Sequence, residues 1–142
     1  MKKGTRRGVL LLASMLVMLV VVGGVAWAVT KIGDDGPNKI KGSNGSDKIH
    51  GLRGNDELDG QGGSDRIWGD NGNDRLIDGG LRTDQATDKL YGGKGNDTLI
   101  TRNKPQRKDF VSCGPGFDTW VADPVDRYYK SGGRCEKVHV RR

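Results

Sequence analysis

Over residues 36–80 the chain reads GPNKIKGSN GSDKIHGLR GNDELDGQG GSDRIWGDN GNDRLIDGG, five consecutive blocks of nine residues in one register. Position one of every block is Gly, position five is Ile or Leu, and position three is Asn38, then Asp47, Asp56, Asp65 and Asp74. Position seven is Gly in the first four blocks. Five inserted residues, 81–85, interrupt the array, after which ATDKLYGGK and GNDTLITRN restore its phase with Asp88 and Asp97 at position three. Self-similarity at a fixed short period marks a stacked architecture, in which each unit buries its apolar side chain only against its neighbours.

The spacing follows from backbone geometry. A tight turn needs backbone conformations that Gly adopts without a Cβ penalty. A short strand then follows, and because side chains alternate along it, position five points inward while positions four and six point out. Position five holds Ile40, Ile49, Leu58, Ile67, Leu76, Leu90 and Leu99, flanked by mainly polar residues such as Lys48 and His50. Two nonapeptides make one coil, so residues 18 apart in the regular array stack at about 4.8 Å along parallel strands. The aspartates then fall into two files, Asp47, Asp65 and Asp88 on one edge and Asp56, Asp74 and Asp97 on the other. Carboxylates about 5 Å apart repel by roughly 3 kcal/mol at an effective dielectric of 20, so such files call for a cation. Calcium suits them, because it takes six to eight oxygens in flexible geometry from carboxylates and main-chain carbonyls.

The stretches Gly54-Asn55-Asp56-Glu57-Leu58, Gly72-Asn73-Asp74-Arg75-Leu76 and Gly92-Gly93-Lys94-Gly95-Asn96-Asp97-Thr98-Leu99 resemble the hemolysin-type calcium-binding (repeats-in-toxin) nonapeptide GGxGxDxUx, where U is a large aliphatic residue. The resemblance covers about half the chain and implies an all-β fold, a right-handed parallel β-roll, with each calcium ion lying between adjacent turns on one edge. The expected pairs are Asp47 with Asp65, Asp56 with Asp74, Asp65 with Asp88, and Asp74 with Asp97; Asn38 with Asp56 would make a weaker fifth. Main-chain carbonyls at Gly45, Gly54, Gly63, Gly72 and Gly95 are the expected additional oxygens. Ala86 in place of Gly and the insertion before it make the Asp65–Asp88 site the irregular one. A single aliphatic side chain per nine residues buries too little to offset the ordering of those residues, so metal binding is expected to decide whether the chain folds.

The N-terminus carries Lys2, Lys3, Arg6 and Arg7, then an apolar run from Val9 to Val22, Gly23-Gly24 and Ala26-Trp27-Ala28. That layout predicts a signal peptide cut before Val29, with an uncleaved anchor at the outer face of the membrane as the alternative, since 21 residues from Val9 to Val29 are long enough to span a bilayer. The domain plan is therefore 1–28 signal peptide or anchor, 29–35 linker, 36–103 repeat β-roll, and 104–142 degenerate repeats with a basic, disulfide-bonded C-terminal cap. Secretion makes a bond between Cys113 and Cys135, the only cysteines, the economical expectation.

Four of the positive charges lie in residues 1–28, so the formal +6 of the chain leaves +2 for the rest. Residues 33–101 are net −4 and residues 102–142 net +5, with the basic groups scattered in an exported segment, which points away from nucleic acid. Position six turns from Lys41, His50 and Asp59 to Trp68, Ile77, Tyr91 and Ile100. Residues from 104 onward are expected to fold back over those apolar faces; the competing expectation is a surface or glycan partner. No H-E-x-x-H or G-x-S-x-G occurs, and no catalytic residue is assigned. The sequence thus describes an exported calcium-ion-binding protein holding about four ions, with a calcium-rigidified adhesion module as the alternative.

Overall fold

The computed structural model describes residues 27–79, 86–102, 106–128, 133 and 135–140. Most of the expected leader, residues 1–26, and the insertion at 81–85 lie outside these. Among the described residues every regular element is a strand: β1 (Thr30–Ile32), β2 (Lys39–Ser43), β3 (Lys48–His50), β4 (Glu57–Gln61), β5 (Arg66–Asn71), β6 (Arg75–Ile77), β7 (Lys89–Lys94), β8 (Thr98–Thr101), β9 (Phe110–Ser112), β10 (Thr119–Ala122), β11 (Arg127–Tyr128) and β12 (Lys137–Val140). The odd-numbered strands form one parallel six-stranded sheet and the even-numbered strands another, each in chain order. The result is a parallel β-solenoid of about five turns. Residues 29–35, set out above as a linker, contribute β1, whose Thr30 pairs with Lys48.

The coil period is the double nonapeptide. Lys39 pairs with Glu57 and Lys48 with Arg66. Across the insertion the partner of Arg66 becomes Lys89, so the ladder continues in phase. One side chain per strand fills the interior. Ile49, Ile67, Leu90 and Val111 form one column and Leu58, Leu76, Leu99 and Trp120 the facing one. All of these aliphatics are fully buried, whereas Ile40 in the first coil is only partly so.

Past residue 105 the nonapeptide consensus fades, but the fold does not. Val111 and Trp120 occupy the position-five columns, and β9 to β12 extend both sheets. The expectation that this segment folds back over the position-six faces is corrected by that topology: among the described residues it adds coils to the end of the stack. The later position-six aromatics instead cover one another. His50, Trp68 and Tyr91 stand in register on β3, β5 and β7, with ring centroids 4.3 and 5.3 Å apart and planes within 4° and 6° of parallel. Identical register on neighbouring parallel strands brings these rings into a face-to-face ladder, so the apolar outer surface is satisfied within its own sheet.

One turn column is strained. Leu52, Asp70, Gly93 and Gly114 succeed one another along the stack, with φ of 78°, 71°, 109° and 100°. Left-handed backbone costs a residue bearing a Cβ about 1 kcal/mol, so glycine fits and leucine does not. At Gly93 the objection to a side chain is doubled, because a Cβ there would run into the Asp70 carbonyl. Leu52→Gly is expected to raise the stability of the folded protein by about 1 kcal/mol. Gly93→Ala should lower it by more than that, both read as shifts in the urea midpoint at saturating calcium.

Candidate metal centre

The turns between the strands bring the position-three side chains inward at the two edges of the solenoid. Each carboxylate uses one oxygen to accept the amide N–H of its counterpart in the preceding coil. On the first edge Asp47 donates to Asp65 Oδ1 (2.8 Å), Asp65 to Asp88 (2.6 Å), and Asp88 to Asp109 (2.8 Å). On the second edge Asn38 donates to Asp56 Oδ1 (2.7 Å), Asp56 to Asp74 (2.8 Å), Asp74 to Asp97 (2.9 Å), and Asp97 to Asp118 (2.8 Å). Asp47, Asp56, Asp65, Asp74, Asp88 and Asp97 are all buried, each exposed by 2% or less.

The second oxygen is the informative one. At Asp56, Asp74, Asp97 and Asp118 the Oδ2 atom is buried and has no hydrogen-bond partner. No described cation pairs with these four: the ion pairs Lys39–Glu57, His50–Asp70 and Arg53–Asp35 lie outside the file. An unsatisfied buried polar group costs about 1–3 kcal/mol, and more when charged. The remedy is built into the turn. A Cβ placed on Gly51, Gly69 or Gly92 would meet the Oδ2 of Asp56, Asp74 or Asp97 and the main-chain carbonyl oxygen of the equivalent residue one coil further on. Each position-seven glycine thus leaves open a space flanked by a carboxylate oxygen and a carbonyl oxygen, the hard donor set that calcium takes and a softer metal does not require.

Electrostatics agree with the geometry. Burial, reinforced by the neighbouring carboxylates and opposed by the ladder hydrogen bond, pushes Asp74 up to about 6 and Asp97 up to about 7. Burial also raises Asp56, Asp118 and Asp126. A charge so poorly solvated is stabilised by a proton or by a cation and by little else.

The position-one glycines, expected as carbonyl donors, fall in a column of their own. A Cβ on Gly54, Gly63, Gly72 or Gly95 would strike the carbonyl oxygen of Gly36, Gly45, Gly54 or Gly72 one coil below, so these glycines permit close vertical packing of the turns. Asp47 also differs from the others, since Val29 N–H donates to its Oδ1 (2.8 Å) and Ser43 donates to its Oδ2 through both its amide (2.5 Å) and its hydroxyl (3.0 Å).

The degenerate repeats expected past residue 104 do continue the stack, but none of their acids was assigned as a ligand. Asp109 and Asp126 continue the first edge, and Asp118 and Glu136 the second. Their signal was present in Asp109-Phe110-Val111 and Asp118-Thr119-Trp120, where an acid stands two residues before an inward apolar side chain. Asp78 was also missed. It replaces glycine at position seven, and its carboxylate lies with those of Asp88 and Asp109 in a buried group whose oxygens fall within 4.8 Å of one another.

Two stacked files of buried carboxylates, backed by main-chain oxygens on a parallel β-solenoid, define a calcium-binding solenoid repeat. The array matches the family model of the RTX calcium-binding nonapeptide repeat (4 copies) at residues 32–67, 41–76 and 81–102. No curated protein and no solved structure matches the chain. RTX nonapeptide repeats bind calcium ions. The disulfide Cys113–Cys135, expected from the sequence, is present with its Cα atoms 5.4 Å apart.

The raised carboxylates set the sign of the pH response. Asp74 and Asp97 titrate at about 6 and 7 in the folded chain against an ordinary 3.8, so without metal the folded form binds more protons than the unfolded one in that window. Metal-free stability is therefore expected to be greatest on the acid side and to be lost as pH rises through 6 to 7. Calcium uptake near pH 6.5 should release protons, seen as a buffer-dependent heat in titration calorimetry. Affinity should fall as the pH is lowered from about 7.5 to about 5.5.

Proposed function

We propose that this chain is an exported calcium-binding module whose solenoid orders when its two carboxylate files take up about four ions. The observation that carries the reading is the run of buried, donorless Oδ2 atoms at Asp56, Asp74 and Asp97 inside the recognised repeats. In this reading Asp47 with Asp65, Asp56 with Asp74, Asp65 with Asp88, and Asp74 with Asp97 hold the ions, with main-chain oxygens completing each shell. Without metal, the charged files oppose stacking and the thin interior is too small to enforce it. Export through the N-terminal segment delivers the chain to a compartment where calcium is abundant and the disulfide is stable.

The adhesion alternative would use the outer aromatics. Its most conspicuous element, His50–Trp68–Tyr91, turns the faces of Trp68 against its two neighbours, so a sugar ring has no access to them between the coils. The stack serves better as lateral reinforcement of the calcium-loaded sheet.

Circular dichroism of the purified protein in chelator should show mostly disordered chain at neutral pH, and calcium at about millimolar levels should induce the β signal. Magnesium should substitute poorly, because it demands near-octahedral geometry and dehydrates reluctantly. A fully folded metal-free protein at neutral pH would overturn the reading. Within the files, Asp74 belongs to two of the four proposed sites and Asp56 to one. Calorimetry should accordingly find Asp74→Ala short of about two ions and Asp56→Ala of about one; equal losses would rule out the pairing.

A further inference from the structure

The two files end differently, and the difference lies beyond the recognised repeats. At the end of the first edge, Asp126 Oδ1 accepts the Asp109 amide (3.1 Å), while its Oδ2 accepts the Asp123 amide (2.7 Å) and the Thr101 hydroxyl (2.7 Å). Trp120 Nε1 donates in turn to that hydroxyl (2.8 Å). Both oxygens of Asp126 are occupied by donors, so hydrogen bonds alone close this file.

On the second edge the same height of the solenoid holds an unfinished site. Asp118 is fully buried; its Oδ1 accepts the Asp97 amide, and its Oδ2, like that of Asp97 below it, has no partner. The turn beneath it keeps the repeat's geometry although CGPGFD replaces GGKGND. Gly114 and Gly116 have φ of 100° and 153°, against 109° and 126° at Gly93 and Gly95 one coil earlier. Phe117 N–H donates to Asn96 Oδ1 at 2.8 Å, as Asn96 N–H does to Asn73 and Asn73 N–H to Asn55. Where a position-three residue need only accept a hydrogen bond, an amide suffices, as Asn38 shows by accepting the Asp34 amide at 2.7 Å. A carboxylate with one oxygen left over does more than that. Above it, Glu136 Oε2 accepts the Asp118 amide (2.6 Å) and ends the file.

We propose that Asp97, the last file aspartate of the matched repeats, and Asp118, which lies beyond them, form a further calcium site on this edge, with the Cys113–Cys135 disulfide holding its two walls together. This rests on the reading of the files as calcium ligands. Cys113 opens the glycine turn that leads to Asp118, and Cys135 immediately precedes Glu136, so the bond fixes the turn below Asp118 to the residue above it. In the recognised coils, stacking of the next full repeat supplies that restraint. Here the coil above is irregular, and a covalent link replaces it. Asp97 thereby belongs to two sites, where the repeats alone give it one.

The test is calcium stoichiometry by calorimetry on the full chain, with wild type, Asp118→Asn and, as a control outside the files, the half-buried Glu57→Gln. Asp118→Asn keeps an oxygen for the Asp97 amide and removes the charge, so one ion should be lost while the β spectrum at saturating calcium is retained. Glu57→Gln should bind the wild-type number. Reduction of the disulfide should remove or weaken the same single ion and leave the others. As a second measure on unmodified protein, calcium should slow amide exchange in β10 and β12 as well as in β4, β6 and β8. An Asp118→Asn protein binding as many ions as wild type, or exchange in β10 and β12 indifferent to calcium, would overturn the proposal while leaving the repeat sites standing. A wild type that binds no calcium would overturn both.

Discussion

Each regular coil places a carboxylate where one oxygen is tied to the main chain of the coil before it and the other faces a buried space left by glycine. The first bond is local glue: it fixes the height and rotation of one turn on the next and satisfies an amide that no strand partner can reach. The second oxygen makes the arrangement conditional. At Asp56, Asp74, Asp97 and Asp118 it is removed from water without a donor, and burial raises the carboxyl in each case. In the proposed reading, a solenoid with so little apolar interior is coupled to cation supply, because the interaction that aligns its coils is the one that strands charge inside it.

The two edges divide the work unequally. On the second edge, five residues separate the position-seven residue from the next file member in coil after coil: Gly51 to Asp56, Gly69 to Asp74, Gly92 to Asp97 and Cys113 to Asp118. On the first edge the early spacing is the same, Gly42 to Asp47 and Gly60 to Asp65, but the later spacing varies: Asp78 stands ten residues before Asp88 and Thr101 eight before Asp109, and position seven is Asp78, Thr101 and Ala122 in place of glycine. The ladder survives, since Asp88 and Asp109 still meet the amides of Asp65 and Asp88. What changes is the space behind it, which side chains now enter: Asp78 joins a carboxylate group, and Thr101 bonds to Asp126. The ladder thus tolerates variation in loop length, while the later turns of the first edge place side chains where glycine leaves space in the regular coils.

Outside the files the solenoid relies on repetition of a second kind. His50, Trp68 and Tyr91 each meet the next ring because parallel strands in register place like positions beside one another. The same rule puts Leu52 and Asp70 in a left-handed turn that Gly93 and Gly114 occupy without strain. A repeat fold imposes one backbone conformation on every copy, and copies whose sequence has drifted carry the cost locally.

The phase of Gly, Asp and Ile or Leu over residues 36–103 was enough to determine the parallel solenoid, the inward column from Ile49 to Leu99, the two aspartate files and calcium as the ion, because a nine-residue period admits one alternation of turn and strand. Two cysteines in a chain expected to be exported were enough for the disulfide. Tertiary structure alone decided the rest. Which glycines stand behind the carboxylates depends on how turns from different coils nest, and position seven, not position one, proves to be the place where a Cβ would meet Oδ2. The blocks at Asp109 and Asp118 were legible as degenerate repeats that continue the stack, whereas the role of their carboxylates, and Asp126 and Glu136 altogether, were obscured because lengthened turns broke the period. Whether a file ends in hydrogen bonds or in an open carboxylate was beyond sequence, since Asp118 and Asp126 are the same residue type and differ only in the donors that folding brings within reach.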